Sequence, residues 1–311
     1  MAYSARVIAD SVSGAGFRLT SLEVCLPRFV LAEFNTHRVF SRNSASSRAI
    51  PVHKQLERIK TDPFIPVYWG ENQSGMQALR EAGITIRVKS EREWLVARDY
   101  AVEQVEKLLA LNLHKQIPNR LLEPFMWHTV LATSTEWSNF YALRVNSDAQ
   151  PEIQVAAELM KEEHDKSVPQ LVRDGEWHTP LIQEDELQWA SENEAEAVKV
   201  SSARSGRLSY MTHNNVRDTG EDIKMYNNLE ERGHMSPFEH VARPISEDEW
   251  QMRKMAQNAA KRSAARQSST VEQHVLDQLV ASLEFDGNLR GWHAHRKDMQ
   301  YESDFSLRPA G

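Results

Sequence analysis

The chain has 311 residues, of which 41% are hydrophobic and 26% charged, with a formal net charge of −7 and a negative mean hydropathy. That composition describes a globular protein of one large domain or two ordinary ones, and it excludes a long disordered tail and a surface uniformly suited to nucleic acid. No run approaches eighteen apolar residues and the N-terminal segment lacks a charged-then-apolar build, so neither a membrane span nor a secretory signal is expected. The single cysteine, Cys25, rules out an intrachain disulfide and a multi-cysteine zinc site, and points to a reducing, cytoplasmic compartment.

In chain order, Ala5 to Val12 and Phe17 to Leu26 carry β-branched and apolar residues on either side of Ser13-Gly14-Ala15-Gly16, which predicts a hairpin ended by Pro27. Arg28 to Asn35 has a short helical pattern, and the polar stretch Thr36 to Ser47 reads as a loop. Leu95, Val102, Val105, Leu108 and Leu109 place one apolar face on a helix over Glu91 to Leu111. Phe125 to Ala132 is apolar and fits a strand or a buried helix segment equally. Thr133-x-x-Glu136 predicts a capping box opening a helix through Arg144, and Gln150 to Lys166 predicts another with Ile153, Ala156, Ala157 and Met160 on one side. The acidic run 184–196 is expected to be a solvated link and the best domain boundary. Beyond it, Val198 to Tyr210 resembles a strand and loop, Glu221 to Arg232 a helix closed by Gly233, and Trp250 to Arg266 a further helix. Ser269-x-x-Glu272 caps a last one with Val271, Val275, Leu276, Leu279 and Leu283 on a face.

Three islands carry chemistry. From Phe34 to Gln55 there is no carboxylate, while Arg38, Arg42, Arg48 and Lys54 are cationic and Ser41, Ser44, Ser46 and Ser47 offer short donors. In a negatively charged chain that combination suits a phosphorylated ligand, although a polar surface loop has the same composition. Gly233-His234-Met235-Ser236-Pro237-Phe238-Glu239-His240 follows a helix; its two histidines lack the i, i+4 spacing and the cysteines of a zinc site, so packing or ligand contact is expected and no metal is assigned. The third, Glu136 to Arg144 with Asp148 to Ile153, taken alone is an ordinary amphipathic helix.

Together the three islands resemble the flavin-dependent thymidylate synthases. That family carries Arg-His-Arg followed by seven residues and a Ser, a helix ending in Leu-Arg with Ala-Gln-x-Glu-Ile after it, and Gly-His-x-Ser/Thr-Pro-Phe-Glu-His. The matching residues are His37-Arg38 to Ser46, Leu143-Arg144 to Ile153, and Gly233 to His240; Ser202-Ala203-Arg204 and Arg207-Leu208-Ser209-Tyr210 resemble the family's Ala-Arg-Val-Ser segment. The order differs, because the last two segments usually come first and Phe17 to Pro27 resembles the strand that follows Pro-Phe-Glu-His. The resemblance therefore implies a circularly permuted α+β core, an antiparallel sheet with packed helices. It divides the chain into a first core part (1–183), the acidic link (184–197), a second core part (198–242) and a helical C-terminal extension (243–311).

Carried over position by position, the resemblance implies that His37, Arg38, Asn139, His234 and Ser236 contact FAD, with Glu239 supporting the last segment. Ser46 and Arg48 would hold the phosphate and sugar of dUMP, Arg120 would reach the same nucleotide, and Arg144 would hold the uracil, so that Arg144 and Ser46 carry the catalytic assignment. Two departures are Thr36 in place of the first arginine and Glu33 where a neutral Gln is common. The implied activity is methylation of dUMP to dTMP with methylenetetrahydrofolate and NADPH, by a cytoplasmic homotetramer with shared sites and no nucleic-acid or membrane partner. The residues fit a mechanism without an enzyme thiolate, since Cys25 lies in a strand-like context and is expected to be structural. The rivals are a related flavin-dependent pyrimidine-nucleotide modifier, such as a hydroxymethylase, and a non-catalytic nucleotide- or RNA-binding relative. In the tail, Arg253, Lys254, Lys261, Arg262 and Arg266, and the run Gly287 to Lys297 with Trp292, leave open a folate or nucleic-acid contact against a solvated helix face, and His293-x-His295 is a weak metal pair.

Overall fold

The structure is a computed structural model that describes residues 2–47, 50–208, 217–265, 284–299, 301–304 and 306. Strands β1 (Ser4–Ser13) and β2 (Arg18–Pro27) form the expected antiparallel hairpin, with Gly16 at φ 86° in the turn, where an L side chain would be strained. They join β3 (Ser41–Ser44), β4 (Trp127–Ser134) and β5 (Gln170–Val172) in a five-stranded sheet of order β3-β4-β2-β1-β5. All its pairs are antiparallel except β1 with β5. The α+β class is thus as expected.

Residues 125–132, ambiguous in sequence, fall mainly in a central strand: β4 is buried on both faces, which is why its apolar run lacks alternation. Alternate residues of β2 (Leu22, Val24, Leu26) and β4 (Val130, Ala132) meet α4 (Ser138–Arg144) and α5 (Pro151–Lys166) in the main core. Ile153, Ala156, Ala157 and Met160 face it as their spacing predicts. The remaining helices before that point are α1 (Leu31–Phe34), α2 (Val52–Thr61) and α3 (Ile84–Ala110), the last beginning seven residues before the predicted Glu91.

Four expectations are corrected. The stretch Thr36 to Ser47 is not all loop, because β3 pairs with β4 through Ser41↔Thr133, Arg42↔Ala132, Asn43↔Leu131 and Ser44↔Val130, taking its register from its neighbour rather than from any alternation of its own. Thr133 caps no helix; it lies in β4, Ser134 Oγ accepts from the Glu136 N–H, and α4 starts after Trp137 without a side-chain cap. The acidic run 184–196 folds into a 3-10 turn (Glu184–Glu186), α6 (Leu187–Glu192) and the start of α7 (Glu194–Gly206). Helix α7 also replaces the strand predicted from Val198. It is buried nearly all round, and its serines disguise it because their hydroxyls bond inward: Ser202 Oγ donates to Val198 O (2.8 Å) and Ser205 Oγ to Ser201 O (2.9 Å).

Arg204 of α7 is wholly buried, donating from Nε to Asp222 (2.8 Å) and from Nη2 to Glu186 (2.7 Å). Asp222 belongs to α8 (Thr219–Glu231), whose N-terminal N–H of Glu221 is capped by Asp218 and whose end is followed by Gly233 at φ 68°. Strand β6 (Ala242–Pro244) precedes α9 (Glu247–Ala265). A small hairpin of β7 (Phe285–Asp286) and β8 (Leu289–Arg290) leads to β9 (Trp292–Ala294), which pairs with β6. The predicted helix from Ser269, together with Arg48, Ser209, Tyr210 and Arg266, lies outside the described residues. Among those described, no helix is long and apolar enough to cross a membrane.

Candidate active site

Helix α1 ends at Phe34, and the chain turns through Thr36 and His37 before entering β3. His37 is buried because the turn drops its ring onto an aromatic platform: it meets Phe140 edge-on at 4.9 Å and stacks on Phe40 at 5.9 Å, with Trp137 behind Phe40 at 4.5 Å. The last residue of α4, Arg144, donates from Nε to His37 Nε2 (2.9 Å) and from Nη2 to Thr36 Oγ1 (3.3 Å). A guanidinium can only donate, so His37 Nε2 presents its lone pair and the imidazole is neutral with its proton on Nδ1. Burial, then the Arg144 and Arg42 cations, push its pKa down to about 4. Two of the predicted islands, 107 residues apart, meet in this bond.

Thr36 holds the position of the expected arginine. Its hydroxyl donates to Glu33 O (2.6 Å), closing α1, and accepts from Arg144, a geometry that a second guanidinium would oppose by like charge. Glu33 keeps Oε2 buried without a hydrogen-bond partner among the described residues. Arg38 and Asn139 are exposed beside this pair in sequence, on the turn and on α4.

The serine end of the stretch is tied down separately. Asn119 Nδ2 donates to Ser47 O (2.8 Å) and Ile50 O (3.3 Å), bracketing the segment that contains Arg48. Glu123 Oε1 gathers Arg120 Nη1 (2.7 Å), Ser47 Oγ (3.0 Å) and Arg28 Nη2 (3.5 Å). Ser46 is exposed next to Ser47, and Arg120 is exposed on the 3-10 helix Pro118–Phe125, so of the predicted nucleotide-binding residues Arg120 itself, and for Ser46 its neighbour Ser47, meet at this carboxylate. An open depression of about 400 Å³ runs beside it, lined by Arg28, Leu31, Asn35 and Glu123 among others. Glu123 and Arg28 are not predicted site residues; the part Glu123 plays, accepting from three donors, emerges only once the chain is folded.

The third island forms the turn 233–240, whose 3-10 helix Ser236–Glu239 packs against β3. A Cβ on Gly206, at the end of α7, would sit 3.0 Å from Pro237 Cγ, so the absence of a side chain there lets helix and turn approach. Phe238 is buried against Ala203 and Tyr226. His234 and Ser236 are exposed, while Glu239 is half-buried, hydrogen-bonded by Arg296, and close enough to Arg42 to oppose the lowering of that guanidinium's pKa by burial. Glu239 is thus tied to the C-terminal segment through Arg296.

Cys25 is buried in β2, and burial pushes its thiol up to about 11, the opposite of an activated thiolate. His293 is bonded to Asp286 and to Asp298 (2.8 Å), and His295 to Asp298 (3.0 Å) and Tyr226 (2.8 Å), so the ring nitrogens of both are engaged within the protein. Among the described residues no group of three His, Cys, Asp or Glu is placed to hold a metal. Of the tail cations, Arg253 lies 3.5 Å from Asp286.

Residues 19–170 match the family model of the thymidylate synthase complementing protein. Two solved structures of a UMP/dUMP methylase, PolB from Streptomyces cacaoi, bound with 5-Br UMP and with 5-Br dUMP, are similar to this chain at 17% sequence identity, with TM-scores of 0.42 and 0.43. Each similarity covers 53% of this chain, and 89% and 90% respectively of the PolB chains. No curated protein matches the sequence.

Proposed function

We propose that this chain, whose residues 19–170 match the family model of the thymidylate synthase complementing protein, is a flavin-dependent enzyme that methylates C5 of dUMP to give dTMP, with methylenetetrahydrofolate as one-carbon donor and NADPH as reductant. The observation that carries this reading is the bond from Arg144 to neutral His37, which with the bond from Arg144 to Thr36 joins the cationic turn to the end of α4.

The donor set suits the groups proposed. Arg38 is exposed, forms no ion pair among the described residues, and lies in a stretch without carboxylates, as an anionic dinucleotide requires. Bound FAD would supply a hydride once reduced. In the proposed arrangement His37, Arg38, Asn139, His234 and Ser236 hold the flavin, Ser46, Arg48 and Arg120 hold the nucleotide phosphate and sugar, and Arg144 polarises the uracil carbonyl by donating to it. Cys25, protonated and buried, forms no bond to the ring.

The proposed circular permutation is supported by one junction. His240, the last residue of the turn, reaches Ser21 near the start of β2 through Thr133, and Ala242 shares a buried cluster with Leu19, so the two segments that are adjacent in the usual order lie side by side. The proposed cytoplasmic homotetramer would cover the exposed apolar residues Met76, Leu79, Ile84 and Ile86. Incubation with dUMP, methylenetetrahydrofolate, NADPH and FAD followed by mass analysis of the nucleotide tests the reading. dTMP is the expected product; hydroxymethyl-dUMP, or unchanged dUMP with no NADPH oxidised, contradicts it.

A further inference from the structure

Four buried side chains outside the motifs, Ser11, His178, Ser21 and Thr133, form one hydrogen-bonded line with His240 of the third island. Ser11 Oγ lies 2.8 Å from His178 Nδ1, His178 Nε2 lies 2.9 Å from Ser21 Oγ, Ser21 Oγ lies 2.6 Å from Thr133 Oγ1, and Thr133 Oγ1 lies 2.8 Å from His240 Nδ1. The three hydroxyls come from the adjacent strands β1, β2 and β4, with Ser21 and Thr133 directly paired in register. None of the five is more than 7% exposed. His178 is clamped to the strand after the turn by its backbone as well, its N–H donating to Ala242 O (2.7 Å) and its carbonyl accepting from the Ala242 N–H (3.3 Å).

We infer that Thr133 and His178 are positioning residues which fix the turn 233–240 to the sheet through His240, and so set where His234 and Ser236 present themselves. This inference rests on the proposed function only in what those two residues bind. The Thr133 bond is the one hydrogen bond formed by the His240 side chain among the described residues, and His240 Nε2 is buried without a partner. The backbone bond that His240 makes within the turn, its N–H to Pro237 O at 3.4 Å, is long, so the side-chain bond is the shorter of the two that hold this residue. Each neutral imidazole has one N–H and one lone pair. With the protons of the two central hydroxyls, Ser21 and Thr133, spent within the line, each donates to one neighbour and accepts from the other, which requires His178 and His240 to be the same tautomer: both Nε2–H or both Nδ1–H. Burial keeps both neutral, so neither ring gains a second N–H in the physiological range.

The test compares Thr133→Val, which keeps the shape and deletes the hydroxyl, with Thr133→Ser, which restores it, and with Ile153→Val as a core variant remote from the line. Amide hydrogen exchange over 234–240 is expected to accelerate about tenfold in Thr133→Val, consistent with the loss of one buried hydrogen bond, and to remain at the parental rate in the other two. FAD affinity, measured by flavin fluorescence, should weaken in Thr133→Val alone. Unchanged exchange over 234–240 in folded Thr133→Val, or equal acceleration in Ile153→Val, would overturn the inference. Imidazole nitrogen shifts of the parental protein give a check independent of any variant: matching tautomers at His178 and His240 support the line, and opposite tautomers overturn it. A parental protein that binds no FAD would instead count against the functional reading, with exchange and tautomers still deciding the anchor.

Discussion

Arg144 and His37 are joined by a bond in which the cation can only give a proton and the imidazole can only receive one, at 2.9 Å. The pair stations one fixed positive charge at the end of α4 while keeping the neighbouring ring uncharged. Arg144→Ala should therefore do two separable things. The His37 pKa should rise from about 4 toward its ordinary 6.5, since one of the causes lowering it is removed, although burial still acts. Turnover of dUMP should fall on the order of 10²–10³-fold, the scale of losing one aimed donor. Imidazole NMR titration and kcat/KM for dUMP check the two.

Stability should fall as the solution is acidified from about pH 6.5. His37 and His164 are held down to about 4, and His128, His178 and His240 to about 3, in each case by burial first. The unfolded chain takes up protons near 6.5 that the folded chain refuses, so it gains relative to the native state as pH drops toward 4. Below that, Glu249, held at about 2 because bonds from Arg243 and Ser246 outweigh its burial, extends the loss as it protonates. His293 acts the other way: Asp286 and Asp298 raise its pKa against the burial that would lower it, so its contribution is present below 6.5 and is lost as pH climbs through the raised value. Melting temperature against pH should show a steady decline between 6.5 and 4; a flat profile contradicts the assignment of neutral buried histidines.

Cys25→Ala should retain activity, with a stability loss of about 1–2 kcal/mol for the small cavity left at a buried site. Denaturant unfolding and turnover measured together separate the two effects. Loss of turnover in a folded Cys25→Ala protein would restore a nucleophilic cysteine to the mechanism.

Arg204→Ala should cost about 3 kcal/mol, the low end for breaking a buried ion pair, because it removes one of the two guanidinium partners of the fully buried Asp222, leaving Arg207, and takes the two-nitrogen contact from Glu186. Chemical denaturation measures it. That helix α7 exists at all was hidden by the same chemistry: a buried arginine and serines that bond back to the preceding turn look polar in sequence and behave as interior residues in the fold.

What sequence reasoning could reach followed periodicity and turn chemistry. The β1–β2 hairpin announces itself through Ser13 to Gly16, and α5 through Ile153, Ala156, Ala157 and Met160, because local pattern and burial agree there. Strand β3 does not, since Arg42 and Asn43 pair with Ala132 and Leu131 only through tertiary register. The acidic residue Glu186 looks solvated until Arg204, 18 residues on, is seen to need it. At the site, motif resemblance pointed to Arg144 and His37 separately; their contact, the bond of Ser47 to Glu123, and the line through His178 depend on separations of dozens to more than a hundred residues that no local pattern encodes.

These residues, as proposed, hold a redox-active isoalloxazine next to a uracil nucleotide. The absorbance spectrum of the purified protein supplied with FAD, followed under NADPH with dUMP present, reads this directly. A protein-bound flavin band that bleaches on reduction is predicted; a spectrum showing only free FAD, unchanged by NADPH, would contradict the claim.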